Sequence, residues 1–327
     1  MNKITLVHTH IHKRRTGITR SIENVLPYFK SPFKPLIYGN RVEWPLISFG
    51  QIFKMALKKT YFVMHCHRNN EIYLALFLKL IGGNFKLVSS RHAETTPSKL
   101  TAFLLGKSAV VVALTQRMAD ALPMDAIVVG HGVDVEKFKP NTHLFKEVTQ
   151  ANIISCAGRV RQAKGHHTLV SALAPELAKN PTWALAIIGK VDNEKFVASL
   201  KEIIAKYKVE KQVYFFDERP DIIEIYQASH TVVAPSFSEG FSLVCAEAMA
   251  CGCNTIATKN VGIHSKLIKH GVSGYTFEAG NHSELQEIVS GIMSSKIPHL
   301  GVEARKTICD HWSAQKEASE LAAVYLN

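Results

Sequence analysis

A chain of 327 residues has room for two cores, and 39 Lys and Arg against 27 Asp and Glu leave it a formal net charge of +12. A hydrophobic fraction of 46% with 20% charged residues excludes a disordered or fibrous chain, and no apolar run is long enough to span a bilayer. The six cysteines show no paired spacing, which excludes a disulfide framework. The first apolar run is too short for a signal peptide, so a cytoplasmic protein is expected.

Strand-like runs fall at 4–8, 35–38, 61–64, 86–89, 109–114 and 126–129, and a second set at 152–157, 183–188, 212–216, 231–234 and 254–257. Helix-periodic stretches fill most intervals. This alternation predicts an α/β fold of two Rossmann-like, doubly wound parallel-sheet domains facing a cleft. The domains are expected at 1–145 and 146–312, with a loop at 138–143 between them, and 313–327 reads as an amphipathic helix capped by Ser313.

In the first half, the segment after strand 4–8 lacks the glycine spacing of a dinucleotide fingerprint, which argues against a nicotinamide or flavin enzyme. His8, His10 and His12 alternate there. With no carboxylate or cysteine beside them, they read as a loop near the acceptor of a transferred group or as solvated side chains rather than a metal site. His65 and His67 follow a buried strand and are open to a structural or a functional role. Phe49, Ile52, Phe53 and Ala56 form one helical stripe with Lys54, Lys58 and Lys59 largely on other faces, which fits either a core face or contact with anionic lipid. Residues 1–150 hold 21 Lys and Arg against 9 Asp and Glu, while the remainder holds 18 of each, so the whole excess charge lies N-terminally. Nucleic acid, an anionic membrane and a phosphorylated glycolipid are all partners that such a half would attract.

The second half carries the chemistry. Strand 152–157 runs into Gly158, Arg159, Lys164 and Gly165 and then an apolar-periodic helix, which places two cations on a strand-to-helix turn suited to an anion. Strand 231–234 is followed by Glu239, Gly240, Phe241 and Ser242, and then by a helix from Leu243 to Ala250 that carries Glu247 and is stopped by Gly252. The first amides of that helix have no intrahelical partner and stand at the positive end of its dipole. Two carboxylates flanking an anion site match hydroxyls, phosphates and hydroxyls in series, the outline of a sugar nucleotide. Singly, Glu239 is open to being a cap and Glu247 a helix-surface charge; together with the cationic turn they favour the binding role. Asp134 and Glu136 come closest to an Asp-x-Asp pair, in a turn better suited to structure, so no metal site and no cofactor is expected. Cys251 and Cys253 flank the helix-ending glycine and read as small buried residues.

Gly158-Arg159 with Lys164-Gly165, Glu239-Gly240-Phe241 with Glu247 and Gly252, and His131-Gly132-Val133-Asp134 with Phe138 and Pro140 together resemble the retaining glycosyltransferases of family 4, which have the GT-B fold. The resemblance spans essentially the whole chain and is tightest from Gly130 to Gly274. It implies that Arg159 and Lys164 hold the donor diphosphate, that Glu239 and the backbone of Gly240, Phe241, Ser242 and Leu243 hold the donor sugar, and that Glu247 holds the ribose. It also implies a His92 contact to the donor sugar, approach of the first loop at Gly17 to the donor, a front-face reaction in which phosphate helps deprotonate the acceptor, and a C-terminal helix crossing back to the N-terminal domain. His131 stands where many members have Asn, Cys253 where Pro is common, and Asp217 where Gly is usual, the last bearing on base recognition.

The segments 13–19 and 90–95 look like a branch that makes lipopolysaccharide core sugars, mannosyltransferases included. The resemblance therefore implies a metal-independent hexosyltransferase using GDP-mannose, acting on a lipid-linked envelope glycan at the anionic inner-membrane surface. A UDP-sugar transferase for capsule or another glycolipid is the nearest alternative. A nucleotide-sugar epimerase would share the architecture without an acceptor. A basic nucleic-acid-binding protein would explain the charge but not Glu239 and Glu247, and no aromatic-basic motif supports it.

Overall fold

The computed structural model describes residues 3–142 and 145–327. His143, at the end of the expected interdomain loop, lies outside the described residues, as do Met1 and Asn2. The chain divides into Met1–Asp134 with Trp312–Asn327, and Val135–His311. The division falls after Asp134, ahead of the expected position. There Tyr28 donates to Asp134 Oδ1 (2.7 Å) and Val133 N donates to Trp312 O (2.8 Å), holding this stretch in the first unit.

The first unit runs β1 (Ile4–His10), α1 (Gly17–Val25), β2 (Phe33–Gly39), α2 (Phe49–Leu57), β3 (Phe62–Cys66), α3 (Asn69–Leu80), β4 (Phe85–Arg91), α4 (Lys99–Leu105), β5 (Val110–Ala113), α5 (Gln116–Asp120) and β6 (Ile127–Val128). Its sheet is parallel, in the order β2-β1-β3-β4-β5-β6. Neighbouring residues face opposite ways and both faces are covered. Leu6, Val63, Val88 and Val112 sit in one core cluster, and Val7, Met64, Leu87 and Val111 in another. That double burial is why these strands read as continuous apolar runs. On α2, capped by Ser48, Ile52 and Ala56 are fully buried and Phe53 packs on the same cluster. The lipid-facing reading of that stripe is therefore corrected: core packing claims it, leaving only Phe49 exposed.

The second unit runs β7 (Asn152–Ala157), α6 (His166–Lys179), β8 (Trp183–Ile188), α7 (Glu194–Tyr207), β9 (Val213–Phe216), α8 (Ile222–Ala228), β10 (Thr231–Ala234), α9 (Leu243–Ala250), β11 (Asn254–Thr258), α10 (His264–Leu267), β12 (Tyr275–Phe277), α11 (His282–Met293) and α12 (Gly301–His311). Its parallel sheet has the order β9-β8-β7-β10-β11-β12, the two-halves pattern of a dinucleotide-binding sheet. β12 is an addition to the eleven expected strands.

The last helix, α13 (Ala314–Leu326), belongs to the first unit. Ser313 caps it by accepting from Lys316 N, and Leu321, Val324 and Tyr325 enter the core beside β1. The His131-Gly132-Val133 motif is its latch. Glu317 accepts from Gly132 N (2.7 Å) and lies 3.1 Å from His131 Nδ1, and a Cβ on Gly132 would collide with Ser313.

Candidate functional site

Strand order in the second sheet reverses between the neighbours β7 and β10, and a ligand crevice forms outside the carboxyl ends of strands at such a reversal. The loops after these two strands are 158–165 and 235–242, the two segments singled out above. Gly165 has φ +73°, and a Cβ there would strike the Pro235 carbonyl, so only glycine lets the start of α6 lie against the second loop. Phe237 N donates to Ala163 O (3.0 Å), tying the loops again. Gly158 has φ +135°, also outside the range comfortable for a side chain.

The Lys164 ammonium, on the 3₁₀ turn Gln162–Lys164, lies 2.7 Å from Glu239 Oε1, and the Ser236 hydroxyl donates to the same oxygen at 2.7 Å. Two residues 75 positions apart thus form one charge pair, with side chains 21% and 13% exposed. Arg159 is not drawn into it: its guanidinium is 44% exposed and 3.9 Å from Asp192.

At the start of α9, Ser242 takes a left-handed conformation (φ +75°) and makes no side-chain cap to the first turn. Its hydroxyl instead lies 2.8 Å from His264 Nε2, while His264 Nδ1 lies 3.0 Å from the Thr258 carbonyl. A carbonyl can only accept, so Nδ1 carries the proton and Nε2 accepts from Ser242. Burial pushes the His264 pKa down, which keeps the ring neutral. Phe241 is buried, and Glu239 and Gly240 lie against Gly262, where a Cβ would come within 2.8 Å of Glu239 Cβ. Leu243 opens the helix. Glu247, at its fifth position, is 4% exposed, which overturns the solvated-surface alternative for it. Cys156 and Cys245 border the Lys164–Glu239 pair, and burial pushes both thiols up to about 12, so neither is a ready nucleophile. Sequence reasoning missed Ser236, Gly262 and His264. For Gly262 and His264 the signal was the loop after β11, a third strand end beside the other two.

In the first unit, Gly17 opens α1 with open space where a Cβ would point. His92 follows β4, with Nε2 3.1 Å from His67 Nδ1 and its ring stacked on His131. His8 and His10 are buried, so solvation is corrected for both: His10 bridges Thr19 (2.9 Å) and the Asn40 carbonyl (2.8 Å), and His8 joins His65 and His67. Glu71, fully buried, accepts from Thr9, Ile11 N and His67 N and so fastens the ends of β1 and β3. Arg15 is held by Glu23 and lies near Glu43. Cys251 and Cys253 are buried free thiols, Cys253 donating to the Tyr226 carbonyl.

Two such parallel sheets, the second with a cation and a carboxylate at its reversal, have the GT-B architecture. Residues 141–307 match the family described as glycosyl transferases group 1, and the chain belongs to it. Among curated relatives it is similar to the lipopolysaccharide core biosynthesis mannosyltransferase LpcC of Rhizobium leguminosarum bv. viciae, with 25% identity over 98% of this chain and 96% of the relative. It is equally similar to LpsB of Rhizobium meliloti, with 25% identity over 98% and 97%. Among solved structures, that of Anabaena HepE in complex with UDP and glucose shares the fold, with 18% identity, 98% and 99% coverage and a TM-score of 0.81. The C-terminal domain of Francisella tularensis LpcC matches at 27% identity, covering 56% of this chain and 99% of the domain, with a TM-score of 0.52.

Proposed function

We propose that this glycosyltransferase is a retaining, metal-independent hexosyltransferase that moves mannose from GDP-mannose to a lipid-linked glycan of the lipopolysaccharide core. The observation that carries the proposal is the Lys164–Glu239 pair at the strand-order reversal, beside the start of α9. Arg159, Lys164 and the first amides of α9 hold the diphosphate by fixed charge, in place of a divalent ion. Glu239 and the backbone of 240–243 orient the sugar hydroxyls, and Glu247 takes the ribose. His92, and Gly17 through the close approach it allows, serve the donor from the first unit. The anomeric carbon–phosphate oxygen bond breaks as the acceptor oxygen bonds to the same face, the acceptor proton passes to phosphate, and the nucleoside diphosphate leaves. Mannose and the lipopolysaccharide core are taken from the printed functions of the two rhizobial relatives.

We place the enzyme in the cytoplasm, peripheral on the inner membrane. No helix among the described residues is long and apolar enough to cross a membrane. Tyr73, Phe77 and Leu80 form an exposed stripe on α3. Leu100 and Phe103 are exposed on α4, which Asn69 joins to α3 through Thr101. Lys79, Lys99 and Lys107 are exposed on the same helices and the turn after them, which suits an anionic surface.

The test is a panel of sugar nucleotides, read by thermal shift and by transfer to a lipid-linked acceptor in excess EDTA and with anionic or neutral vesicles. GDP-mannose should stabilise the fold and transfer with retention, chelator should not matter, and binding should favour anionic vesicles and weaken with salt. Preference for a UDP-sugar, an altered sugar nucleotide without acceptor, inversion, an absolute need for Mg²⁺ or Mn²⁺, or vesicle binding indifferent to lipid charge would each overturn its part.

A further inference from the structure

The first sheet also reverses its strand order, between β1 and β3, so a second ligand crevice is expected outside the ends of those strands. His92, half-buried after the neighbouring β4, ends a hydrogen-bonded relay that starts on α13. The Tyr325 hydroxyl lies 3.3 Å from His8 Nε2, His8 Nδ1 lies 3.3 Å from His67 Nε2, and His67 Nδ1 lies 3.1 Å from His92 Nε2. The same hydroxyl lies 2.6 Å from His65 Nδ1, and His65 Nε2 lies 2.7 Å from the Ser90 hydroxyl. Tyr325, His8, His65 and His67 are all buried. Among the described residues, His92 Nδ1 is the one ring nitrogen of these four histidines without a partner.

Counting protons gives the relay a direction. Burial pushes the pKa of all four histidines down and that of the Tyr325 phenol up, so at neutral pH each ring carries one N–H and the phenol keeps its proton. A hydroxyl between two imidazole nitrogens donates to one and accepts from the other. The 2.6 Å contact lies within the usual span for an O–H donor and below that for an N–H donor, so Tyr325 donates to His65 Nδ1. His65 then carries its proton on Nε2 and donates to Ser90. The Tyr325 oxygen accepts from His8 Nε2, which leaves His8 Nδ1 to accept from His67 Nε2 and His67 Nδ1 to accept from His92 Nε2. His92 is left with a lone pair on Nδ1. Run the other way, each ring would carry its proton on the opposite nitrogen and His92 Nδ1 would be a donor. Helix α13 holds the same ring a second time: Glu317 lies 3.1 Å from His131 Nδ1, and the His131 ring stacks on His92 with centroids 5.3 Å apart.

We infer that Tyr325 is a positioning residue: through His8 and His67 it fixes His92 in the tautomer that accepts, at Nδ1, a hydrogen bond from a hydroxyl of the donor sugar. A neutral acceptor at that atom suits an O–H and offers nothing to a phosphate oxygen. The sugar contact rests on the reading of His92 given above, whereas the tautomer stands without it.

The test is nitrogen-15 to proton correlation of the histidine rings in the full chain, with His92 assigned by its loss in His92→Gln, alongside donor kinetics. In the unaltered protein without ligand, His92 should be protonated at Nε2 and bare at Nδ1. Tyr325→Phe keeps the ring that packs on Phe29 and Phe33 and removes only the hydroxyl. His8 Nε2–H then loses its acceptor, and the relay escapes an orphaned buried N–H by reversing, so His92 should gain a proton at Nδ1. The kcat/KM for the sugar nucleotide should fall about tenfold, for one misdirected neutral hydrogen bond, while affinity for the free nucleoside diphosphate stays unchanged. A His92 protonated at Nδ1 in the unaltered protein, or a tautomer that Tyr325→Phe does not move, would overturn the relay, and the first of these is read whether or not a variant folds. If Tyr325→Phe moves the tautomer while it and His92→Gln both keep the parent kcat/KM, the donor-sugar reading of His92 fails instead, and the positioning role with it.

Discussion

Lys164→Ala separates what the Lys164–Glu239 pair does for the fold from what it does for catalysis. The ammonium and carboxylate stand 2.7 Å apart and largely out of solvent. A unit-charge pair at about 4 Å in a medium of effective dielectric near 20 attracts by roughly 4 kcal/mol, most of which offsets the loss of hydration. The net contribution of a hydrogen bond between charged groups is about 1.5–3 kcal/mol. Truncation leaves Glu239 with the Ser236 hydroxyl as its other bond in this pair, so stability should fall by about that amount. Under the proposed mechanism the same ammonium faces the leaving diphosphate, and losing one fixed donor to a developing anion costs about 2.7–4 kcal/mol, or roughly 10²–10³ in kcat. Urea denaturation and steady-state kinetics read the two effects separately. Adding Glu239→Gln removes the stranded charge, so the double variant should regain stability and not turnover. A single variant within tenfold of the parent kcat, or a double variant in which turnover returns along with stability, would refute the reasoning.

Glu239→Gln alone should lower turnover while free nucleotide still binds, whereas Glu247→Ala should weaken the nucleotide itself; calorimetry showing normal nucleotide binding by both would refute that division. Acid should destabilise the protein well before its carboxylates titrate. Burial pushes the pKa of His8 down to about 3 and those of His166 and His230 down to about 4, so below about pH 6.5 the unfolded chain takes up protons that the folded chain refuses. Their contribution is complete above about pH 6.5 and is lost as pH falls toward 4, at about 1.4 kcal/mol per pH unit for each such histidine. Urea midpoints at pH 8, 6 and 4.5 that stayed level would contradict this.

The strands were legible because parallel strands buried on both faces are largely apolar, as at Ile154, Ile187 and Val233, and do not alternate regularly with polar residues. Tyr275–Phe277 escaped because three residues carry no period. The residues of the second-unit site were legible from their types at strand ends. Their pairing was not, since chain order does not state that β7 and β10 are neighbours, and only that adjacency brings Lys164 to Glu239. Strand order likewise hid the histidines. His8 and His65 are far apart in sequence and read as separate curiosities until the β1–β3 register sets them side by side. The stripe on α2 failed for another reason: an amphipathic face has the same pattern whether lipid or core covers it, and Ile52 and Ala56 turn out to be fully buried.

The two units solve different electrostatic problems at equivalent places in their sheets. The second keeps an opposed charge pair, Lys164 and Glu239, at its reversal. The first collects imidazoles that burial holds neutral, with Arg68 and Arg91 near enough to push the His92 pKa down further. Yet residues 1–134 with 312–327 carry 19 Lys and Arg against 9 Asp and Glu. Much of that excess lies on outer helices, as at Lys54, Lys58, Lys59, Lys79, Lys99 and Lys107, all exposed. A charge carried on outer helices rather than in the crevice acts on extended anionic surfaces and is screened within about 8–10 Å at physiological salt. Under the proposed peripheral association, these outer lysines are the charges that meet the membrane.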